Sequence, residues 1–580
     1  RDVAVTGVQT CALPILPITT SSRSCPMPCP SRCSDTRTSK ELTRSPSGLL
    51  AVVRCRGVEI QSHHQMIVRF ENRRAKKWGL HRQDEIGQER GMGSDYELEQ
   101  ALRAVEDFRR DLANVPADRV ELMGQERRVQ QVAHGIARAL MKEVFERADV
   151  KQPEVTVNGV RWGNRRDSKA IYTTLFGVEE VVRGVFSRPG GGPVAVPLEL
   201  RLGLVEGRYT PAVARALTRA KASMPAQEAA ELLEQLGVAA VSVSTIHRIP
   251  QAIAARYEKL REQINEQLRA DDHVPDGAVT AQVALDGVMV PQDGENTGAR
   301  GRKTASPKAP RHETRYGPVG ARGPANDDGI KGRAWHEGAV GTIAYFDSEG
   351  TRLRTVYLGR MPESKMATLA DDLEDELTAA LSKSPGLAVC FASDGDLHQW
   401  EILEQMALRM PHTAVGRVLF LLDFFHAAEY LTEAADLVYG TNSADSHATA
   451  AQWRENLKRA EDGAERAVKS LRYHRDEMAE GAKRERMQGI IDYLANHKSS
   501  GRLGYAQAQA DNKPIGTGVT EAAAKTVVNV RMKRAGARFS QHGGQTVMTF
   551  RAAILSGRFD LLSSLLEESY KATIRTERAA

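Results

Sequence analysis

The order of apolar segments between residues 279 and 427 is the feature that most constrains the fold of this 580-residue chain. Short apolar runs in this stretch predict strands, and longer segments with apolar residues every three or four positions predict helices. The order is three strands, a helix, a strand, a helix and a final strand, in the segments TAQVALDGVMV, GAVGTIAYFD, RLRTVYLGR, KMATLADDLEDELTAALSK, GLAVCFASDG, LHQWEILEQMAL and RVLFLLDFFHA. This order predicts a mixed sheet with helices on its faces.

The element order is that of an RNase H-like fold, so we expect an α/β RNase H-like core whose first part covers residues 276–430. Residues 294–333 are rich in Gly, Pro, Arg and Lys and lack an apolar pattern, which predicts a basic, disordered loop inside the core. This loop is either a passive linker or a contact for DNA phosphates. Residues 431–510 carry interspersed charges at helical spacing and are interpreted as a helical insertion, and residues 511–580 return to the core as a C-terminal helix and basic tail.

Two regions precede the core. Residues 1–91 begin with Arg1, are rich in Ser, Arg, Pro and Cys, and show no sustained periodicity, so we expect a disordered or artefactual segment there. A basic DNA-binding arm near Lys76 is the alternative for that segment. Residues 92–200 predict two or three helices, followed by short strands that Asn-Gly and Phe-Gly turns separate.

Residues 201–275 predict a helical region in which two helices are joined by a short turn. Ser242 or Ser244 could cap the second of these helices. The layout is that of a helix-turn-helix, whose second helix enters the major groove of DNA. A plain pair of packed helices remains an equal alternative, because Pro250 would kink the second helix.

Composition limits the class of protein. The hydrophobic fraction of 41% and charged fraction of 27% are typical of soluble globular proteins. No apolar run approaches the roughly 18 to 20 residues that span a membrane, so we expect a cytoplasmic protein without a membrane partner. The net charge of +6 is compatible with a polyanionic partner. Cys390 is the one cysteine outside the N-terminal segment, which argues against a disulfide framework.

Three acidic residues stand at the ends of predicted elements. Asp286 and Asp394 each follow an apolar strand, and Glu521 lies just after a Gly-rich turn, near the start of a helix. Because the first and fourth strands of this topology lie side by side, we expect the two aspartates to be close, with Glu521 completing the group. Clustered carboxylates are the ligands of hard divalent cations, so the sequence predicts a site for two Mg²⁺ or Mn²⁺ ions. Taken singly, each residue could equally be a turn or capping residue.

Asp423 and His426, in LLDFFHAAEYL, form a second feature at a strand-to-helix junction. Asp423 also ends a strand and is therefore an alternative to Asp394 as the middle ligand. We favour Asp394 because the fourth strand lies next to the first. His426 could orient a carboxylate, or it could be an ordinary core histidine.

The helix that follows Glu521 carries five basic residues, which are Lys525, Arg531, Lys533, Arg534 and Arg538. Cations on and after this helix would suit the DNA backbone near the scissile phosphate. A solvated charged face is the competing interpretation.

Taken together, these segments resemble the DDE transposases of the ISKra-type insertion sequences, which are distantly similar to Mutator-like transposases. The resemblance rests on LRLGLVEGRYTP, VALDGVMVP, AWHEGAVGTIAYFD, SDGDLHQW, LLDFFHAAEYL, IGTGVTEAAAKTVVNVRMK and FRAAILSGRFD. It implies that Asp286, Asp394 and Glu521 form the metal-binding catalytic triad, and that Asp423 and His426 belong to a supporting Asp/Cys-x-x-His element. The basic loop is longer than the family pattern, and Phe539 stands where a Trp is expected.

The resemblance implies an enzyme that cleaves and joins DNA strands at the ends of a bacterial insertion sequence, using Mg²⁺ or Mn²⁺. Its partners would be double-stranded DNA, as element ends and as target, and further copies of the chain in a homo-oligomer on DNA. We therefore expect a nucleoid-associated location. A catalytically inactive, transposase-derived DNA-binding protein and an RNase H-like nuclease are the alternatives.

Overall fold

The computed structural model describes residues 93–238, 241–293, 312–319, 333–411 and 417–576. The N-terminal segment 1–91, for which disorder or an artefact is predicted, lies outside the described residues, as does most of the predicted basic loop.

The N-terminal region consists of two long helices and an antiparallel sheet. Its strands run in the order β1-β2-β3-β4, and a short C-terminal strand, β12, pairs with β1. Asn158 and Gly159 join β1 to β2 with positive φ angles of 48° and 81°, as a tight hairpin requires. The bounds are α1 Gly93–Ala113, α2 Leu122–Ala148, β1 Val155–Val157, β2 Val160–Thr174, β3 Gly177–Ser187, β4 Val194–Ala195 and β12 Ile574–Arg575.

A helical region follows, with the predicted pair of helices in place. Ser242 caps the second of the pair, since its side chain accepts a hydrogen bond from the backbone N–H of Thr245. That helix continues through Pro250 and buries Ile246 and Ile249 in an apolar cluster shared with C-terminal helices. The bounds are α3 Pro197–Leu202, α4 Pro211–Ser223, α5 Ala226–Gln235 and α6 Val243–Asp271.

A five-stranded mixed sheet forms the centre of the fold, in the order β9-β8-β5-β10-β11. The strands β5 and β8 are antiparallel, as are β8 and β9, whereas β10 runs parallel to both β5 and β11. The prediction of a mixed sheet whose first and fourth strands are neighbours is therefore confirmed. The bounds are β5 Thr280–Asp293, β8 Arg333–Phe346, β9 Arg352–Arg360, β10 Ala388–Ser393 and β11 Val418–Leu422.

Part of the predicted disordered loop is an ordered hairpin, which corrects that prediction for residues 312–319. Its strands are β6 His312–Thr314 and β7 Gly317–Val319. The Arg315 guanidinium binds Asp371 at 2.6 Å, and the Tyr316 hydroxyl donates to Glu374 at 2.6 Å. These acids lie on a helix that covers the sheet, so polar contacts hold the hairpin together with the burial of Val319 and the packing of Tyr316 against the apolar core. The few apolar residues of the segment form no periodic pattern, which is why the sequence did not predict the hairpin.

Alternation along β5 places apolar side chains on both faces of the sheet. Val283 and Leu285 pack against two covering helices on one face. Val288 and Val290 pack on the other face, against the helical segment that follows residue 517. The covering helices are α7 Ala367–Lys383 and α8 Leu397–Arg409.

The charged stretch between the sheet and Glu521 is helical, as predicted, but it is more than a solvated insertion. Its helices enclose an apolar cluster that includes Trp453, Leu471 and Ile490. The cluster is continuous with β11 through Leu421 and Leu422, so the insertion is anchored to the sheet. The bounds are α9 Phe424–Tyr439, α10 Ala444–Arg459, α11 Gly463–Glu477, α12 Ala482–Ser499 and α13 Tyr505–Ala510.

The C-terminal part returns to the sheet. The helix α14 runs into a π-helical segment and then into α15 without a break, and α16 packs beside them. A π-helical stretch is uncommon and is often found at functional sites. The bounds are α14 Gly518–Ala523, the π segment Ala524–Asn529, α15 Val530–Met532, α16 Gln541–Leu555 and α17 Phe559–Ser569.

Candidate active site

The sheet register brings Asp286 and Asp394 level with each other. In the parallel pair of β5 and β10, Ala284 lies beside Ala392. Two residues further along each chain are Asp286, still within β5, and Asp394, directly after the end of β10. The two carboxylates therefore stand on neighbouring strands at one edge of the core.

Buried polar contacts hold the turn and helix that carry Glu521. The Thr520 hydroxyl lies 2.7 Å from that of Thr342 on β8, and both side chains are buried. The Gln282 side chain on β5 donates to the Gly516 carbonyl oxygen at 3.0 Å. Because both partners belong to the central strands, the start of α14 is fixed against the sheet near Asp286.

Electrostatics joins these residues into one group. Burial, followed by repulsion from Asp394, Glu521 and Glu337, raises the pKa of Asp286 to about 7. A backbone hydrogen bond from Gly287 acts in the opposite direction. Asp394 and Glu521 are thus both close enough to Asp286 to raise its pKa, and a further carboxylate, Glu337, does the same.

The donors suit a hard divalent cation in chemical type, since carboxylate oxygens are the ligands of Mg²⁺ and Mn²⁺. Within the described residues, no group of three or more His, Cys, Asp or Glu side chains is already arranged to hold an ion. The carboxylates repel one another, as the raised pKa of Asp286 shows, and a cation would relieve that repulsion. The donor chemistry therefore fits the ion, and side-chain movement would have to complete the coordination.

The backbone at Asp394 is held by the helical insertion. The Tyr493 hydroxyl on α12 donates a hydrogen bond of 3.0 Å to the Asp394 carbonyl oxygen. Gly395 has a φ of +110°, and a Cβ at that position would lie 2.2 Å from the Tyr493 hydroxyl oxygen. Glycine is thus required both by the backbone conformation and by the close approach of the tyrosine.

Asp423, the alternative middle ligand, already has its oxygens occupied by protein donors. Its side chain is 2% exposed, and Oδ1 accepts from the backbone N–H groups of Phe425 at 2.6 Å and His426 at 3.2 Å. Its Oδ2 accepts from the backbone N–H of Thr517 at 2.7 Å and from the Thr517 hydroxyl. Asp423 therefore caps α9 and ties it to the turn before Glu521.

His426 is neither a buried core residue nor aligned on an aspartate by its ring. Its side chain is 39% exposed, and its Nδ1 lies 3.7 Å from the Glu429 carboxylate. The ring meets Tyr430 edge-on, with 5.5 Å between centroids. Tyr430 in turn packs against Tyr493, so His426 belongs to the outer end of an aromatic stack that reaches Asp394.

The five basic residues after Glu521 do not share one surface. Lys525, Lys533 and Arg538 are exposed. Arg534 forms an ion pair with Glu228 at 2.9 Å. Arg531 is only 4% exposed, which departs from the surface role predicted for it.

Three contributors to the site escaped the sequence analysis. Glu337 lies on β8, a strand from which no acid was considered, although its partner on β5 is Met289, three residues after Asp286. Thr517 and Tyr493 act through contacts 94 and 99 residues distant in sequence. An acidic residue on the strand paired with β5 was the one available signal.

Comparison with known protein families and with curated proteins finds no match to this chain. None of the helices in the described ranges is long and apolar enough to cross a membrane. The geometry of the site is therefore the basis for a functional proposal.

Proposed function

We propose that this protein is a DDE-type DNA transposase, which cleaves and joins DNA strands at the ends of a bacterial insertion sequence by two-metal-ion phosphoryl transfer. The sheet order supports this proposal. In chain order it reads third, second, first, fourth and fifth strand, with the second strand alone antiparallel to the rest. That is the arrangement expected of an RNase H-like sheet, the fold that the resemblance implies.

One observation carries the proposal. Asp286 lies in β5 and Asp394 directly after the neighbouring parallel strand β10, and both Asp394 and Glu521 raise the pKa of Asp286. Three carboxylates from two strands and a helix are the ligand set that a pair of divalent cations needs in phosphoryl transfer.

In this proposal Asp286, Asp394 and Glu521 hold the ions. When bound, Mg²⁺ or Mn²⁺ supplies activation of a water or 3′-hydroxyl nucleophile and stabilisation of the leaving oxygen. The Tyr493 hydroxyl holds Asp394 at the strand end by donating a hydrogen bond to the Asp394 carbonyl oxygen. Asp423 fixes the turn before Glu521 through Thr517. Both are positioning residues, since their contacts act on ligands rather than on substrate.

Double-stranded DNA is the proposed partner, as element ends and as target. The exposed cations Lys525, Lys533 and Arg538 follow Glu521 and would contact backbone phosphates near the site of cleavage. The helices α5 and α6 have the layout of a helix-turn-helix, and Ser244 in the N-terminal turn of α6 is exposed. This layout would suit recognition of the element end. Assembly as a homo-oligomer on DNA and a nucleoid-associated location belong to the same proposal.

The test is cleavage of labelled duplexes that carry the element ends, with Mg²⁺ or Mn²⁺. We expect Asp286→Asn, Asp394→Asn and Glu521→Gln each to lose more than about 100-fold in rate, beyond the loss typical of groups that only support a metal ligand. Asp396→Asn is the matched control, because Asn caps a helix as well as Asp does and the α8 cap at that position is retained.

Equal cleavage by the wild type and Asp286→Asn would refute the proposal. Two further results would select an alternative. Binding of the ends without metal-dependent cleavage would favour an inactive, transposase-derived DNA-binding protein. Cleavage that ignores the end sequence would favour a nuclease.

A further inference from the structure

Two buried cations and a histidine, from three helices, meet between the helical region and the segment that carries Glu521. The Lys221 ammonium on α4 lies 2.8 Å from Nδ1 of His247 on α6. Nε of Arg531 on α15 donates to the Lys221 carbonyl oxygen at 3.3 Å. In these two contacts, the cations therefore donate to neutral acceptors and not to a carboxylate.

The cluster is buried but touches the surface. Lys221 and Arg531 are 3% and 4% exposed, whereas His247 is exposed. Arg551 on α16 and Arg534 add further positive charge near Arg531. Glu228 is the acid that faces this group, and it is already paired with Arg534 at the exposed rim.

Burial and repulsion from neighbouring cations lower the pKa values of all three side chains. Burial, with a smaller contribution from the charge of Arg531, lowers the pKa of Lys221 to about 8. Burial, Lys221 and Arg531 together lower the pKa of His247. Burial lowers the pKa of Arg531 to about 10, with Arg534 and Arg551 contributing.

Phe539 offsets a part of this cost without supplying a charge. Its ring centroid lies 5.9 Å from the Lys221 ammonium and 5.5 Å from the Arg531 guanidinium carbon. A cation–π contact stabilises a buried cation by much less than burial without a counter-charge destabilises it. The aromatic ring therefore does not balance two buried cations. A fold that retains such a cluster gains from an anion that completes it.

We propose that Lys221 and Arg531 form a binding site for a phosphate group, with His247 occupying the position of the anion when none is bound. The exposed His247 ring moves aside, and a phosphate oxygen replaces Nδ1 as the acceptor for the Lys221 ammonium. Arg531, the other buried cation of the cluster, adds its positive charge. The group comes either from a DNA backbone or from free phosphate, and the two sources give different results below. The DNA source rests on the proposed function; the site for free phosphate does not.

Thermal unfolding tests the site without any DNA. Wild-type protein is compared in sodium phosphate and in sodium chloride at equal ionic strength, beside Lys221→Met and the matched control Lys259→Met, which removes an exposed lysine of α6. We expect phosphate to raise the melting temperature of the wild type and of Lys259→Met, and to leave Lys221→Met unchanged.

His247→Glu is a second variant that does not depend on how well Met packs. It supplies the missing negative charge beside Lys221, so it should raise the melting temperature in chloride and remove the extra effect of phosphate. An equal response to phosphate in the wild type, Lys221→Met and His247→Glu, or none in any of them, would overturn the site for free phosphate.

Binding of a duplex in EDTA tests the DNA source independently of catalysis. If the phosphate belongs to DNA, Lys221→Met should weaken binding and reduce the slope of log affinity against log salt by about 1, as the loss of one phosphate contact does. Lys259→Met should leave the slope unchanged. An unchanged slope in Lys221→Met together with a positive thermal result assigns the site to free phosphate. An unchanged slope together with a negative thermal result refutes both.

Discussion

The Asp423 carboxylate accepts hydrogen bonds from both the backbone nitrogen and the hydroxyl of Thr517, 94 residues later in the chain. The contact connects the end of β11 to the turn that begins α14. Since Asp423 also caps α9, one buried side chain fixes the start of the insertion and the return of the chain to the sheet. The position of Glu521 therefore depends on a residue that does not itself need to bind metal.

Replacing Asp423 with Asn should lower stability more than metal affinity. The substitution exchanges a charged acceptor for a neutral one, and hydrogen bonds to charged groups contribute about 1.5–3 kcal/mol each. We expect the free energy of unfolding, measured with urea, to fall by about 2 kcal/mol. Asp445→Asn, at an exposed position in the first turn of α10, should change it by less than about 0.5 kcal/mol. Loss of Mn²⁺ binding with stability unchanged would instead make Asp423 a ligand.

Tyr493→Phe should slow cleavage while the fold persists. The variant loses the hydrogen bond to the Asp394 carbonyl oxygen but retains the ring that packs against Tyr430. We expect a rate about tenfold lower and a higher Mg²⁺ concentration for half-maximal activity, as for groups that orient metal ligands. Tyr473→Phe, on the exposed face of α11, is the control. An unaltered Mg²⁺ dependence would show that the insertion does not position Asp394.

The element order of the core could be predicted from the sequence because buried strands and amphipathic helices leave local apolar patterns. The pairing of β5 with β10 followed from that order. The choice between Asp394 and Asp423 could not be made locally, since both aspartates end apolar strands. Their roles differ through hydrogen bonds to Tyr493 and Thr517, and no local pattern encodes contacts so distant in sequence.

The contribution of Asp286 to the stability of the fold should fall with rising pH when metal is absent. The pKa of Asp286 is about 7 in the folded protein and about 3.9 in an unfolded chain. Between those values Asp286 binds more protons in the folded state than in the unfolded state, so its contribution to stability is largest below about pH 4 and is lost as the pH rises through 7. Asp286→Asn removes this dependence, so its free energy of unfolding in urea should exceed that of the wild type by up to about 4 kcal/mol at pH 8, and the difference should vanish near pH 4.

Mg²⁺ provides the internal control for that pH effect. A bound cation favours the ionised carboxylate, so Mg²⁺ should stabilise the wild type at pH 8 and leave Asp286→Asn unaffected. Identical pH dependence of the two proteins in EDTA would contradict the raised pKa.

Glu337→Gln should lower the pKa of Asp286, because one of the carboxylates that repel it is removed. At pH 7 in EDTA, we expect the free energy of unfolding of Glu337→Gln to be higher than that of the wild type. The increase should be smaller than the one that Asp286→Asn gives. Glu349→Gln, in the exposed turn before β9, should leave the profile unchanged. If the dependence of stability on pH were identical to that of the wild type, Glu337 would not raise the pKa of Asp286.

Charged residues were the least predictable part of the sequence. Arg531 sits among basic residues at the end of a helix, a pattern typical of an exposed cationic face, yet packing against Phe539 buries it. Arg315 lies in a segment without an apolar pattern, yet ion pairs to α7 hold it in place. In both cases the deciding partner comes from a distant element, so local composition cannot reveal it.

Titration of the protein with Mn²⁺ in the absence of DNA tests the proposed metal centre most directly. We predict that the wild type and Asp396→Asn bind Mn²⁺ alike, and that Asp286→Asn, Asp394→Asn and Glu521→Gln each bind at least about tenfold more weakly. Mn²⁺ binding by Asp286→Asn that equals that of the wild type would contradict the account.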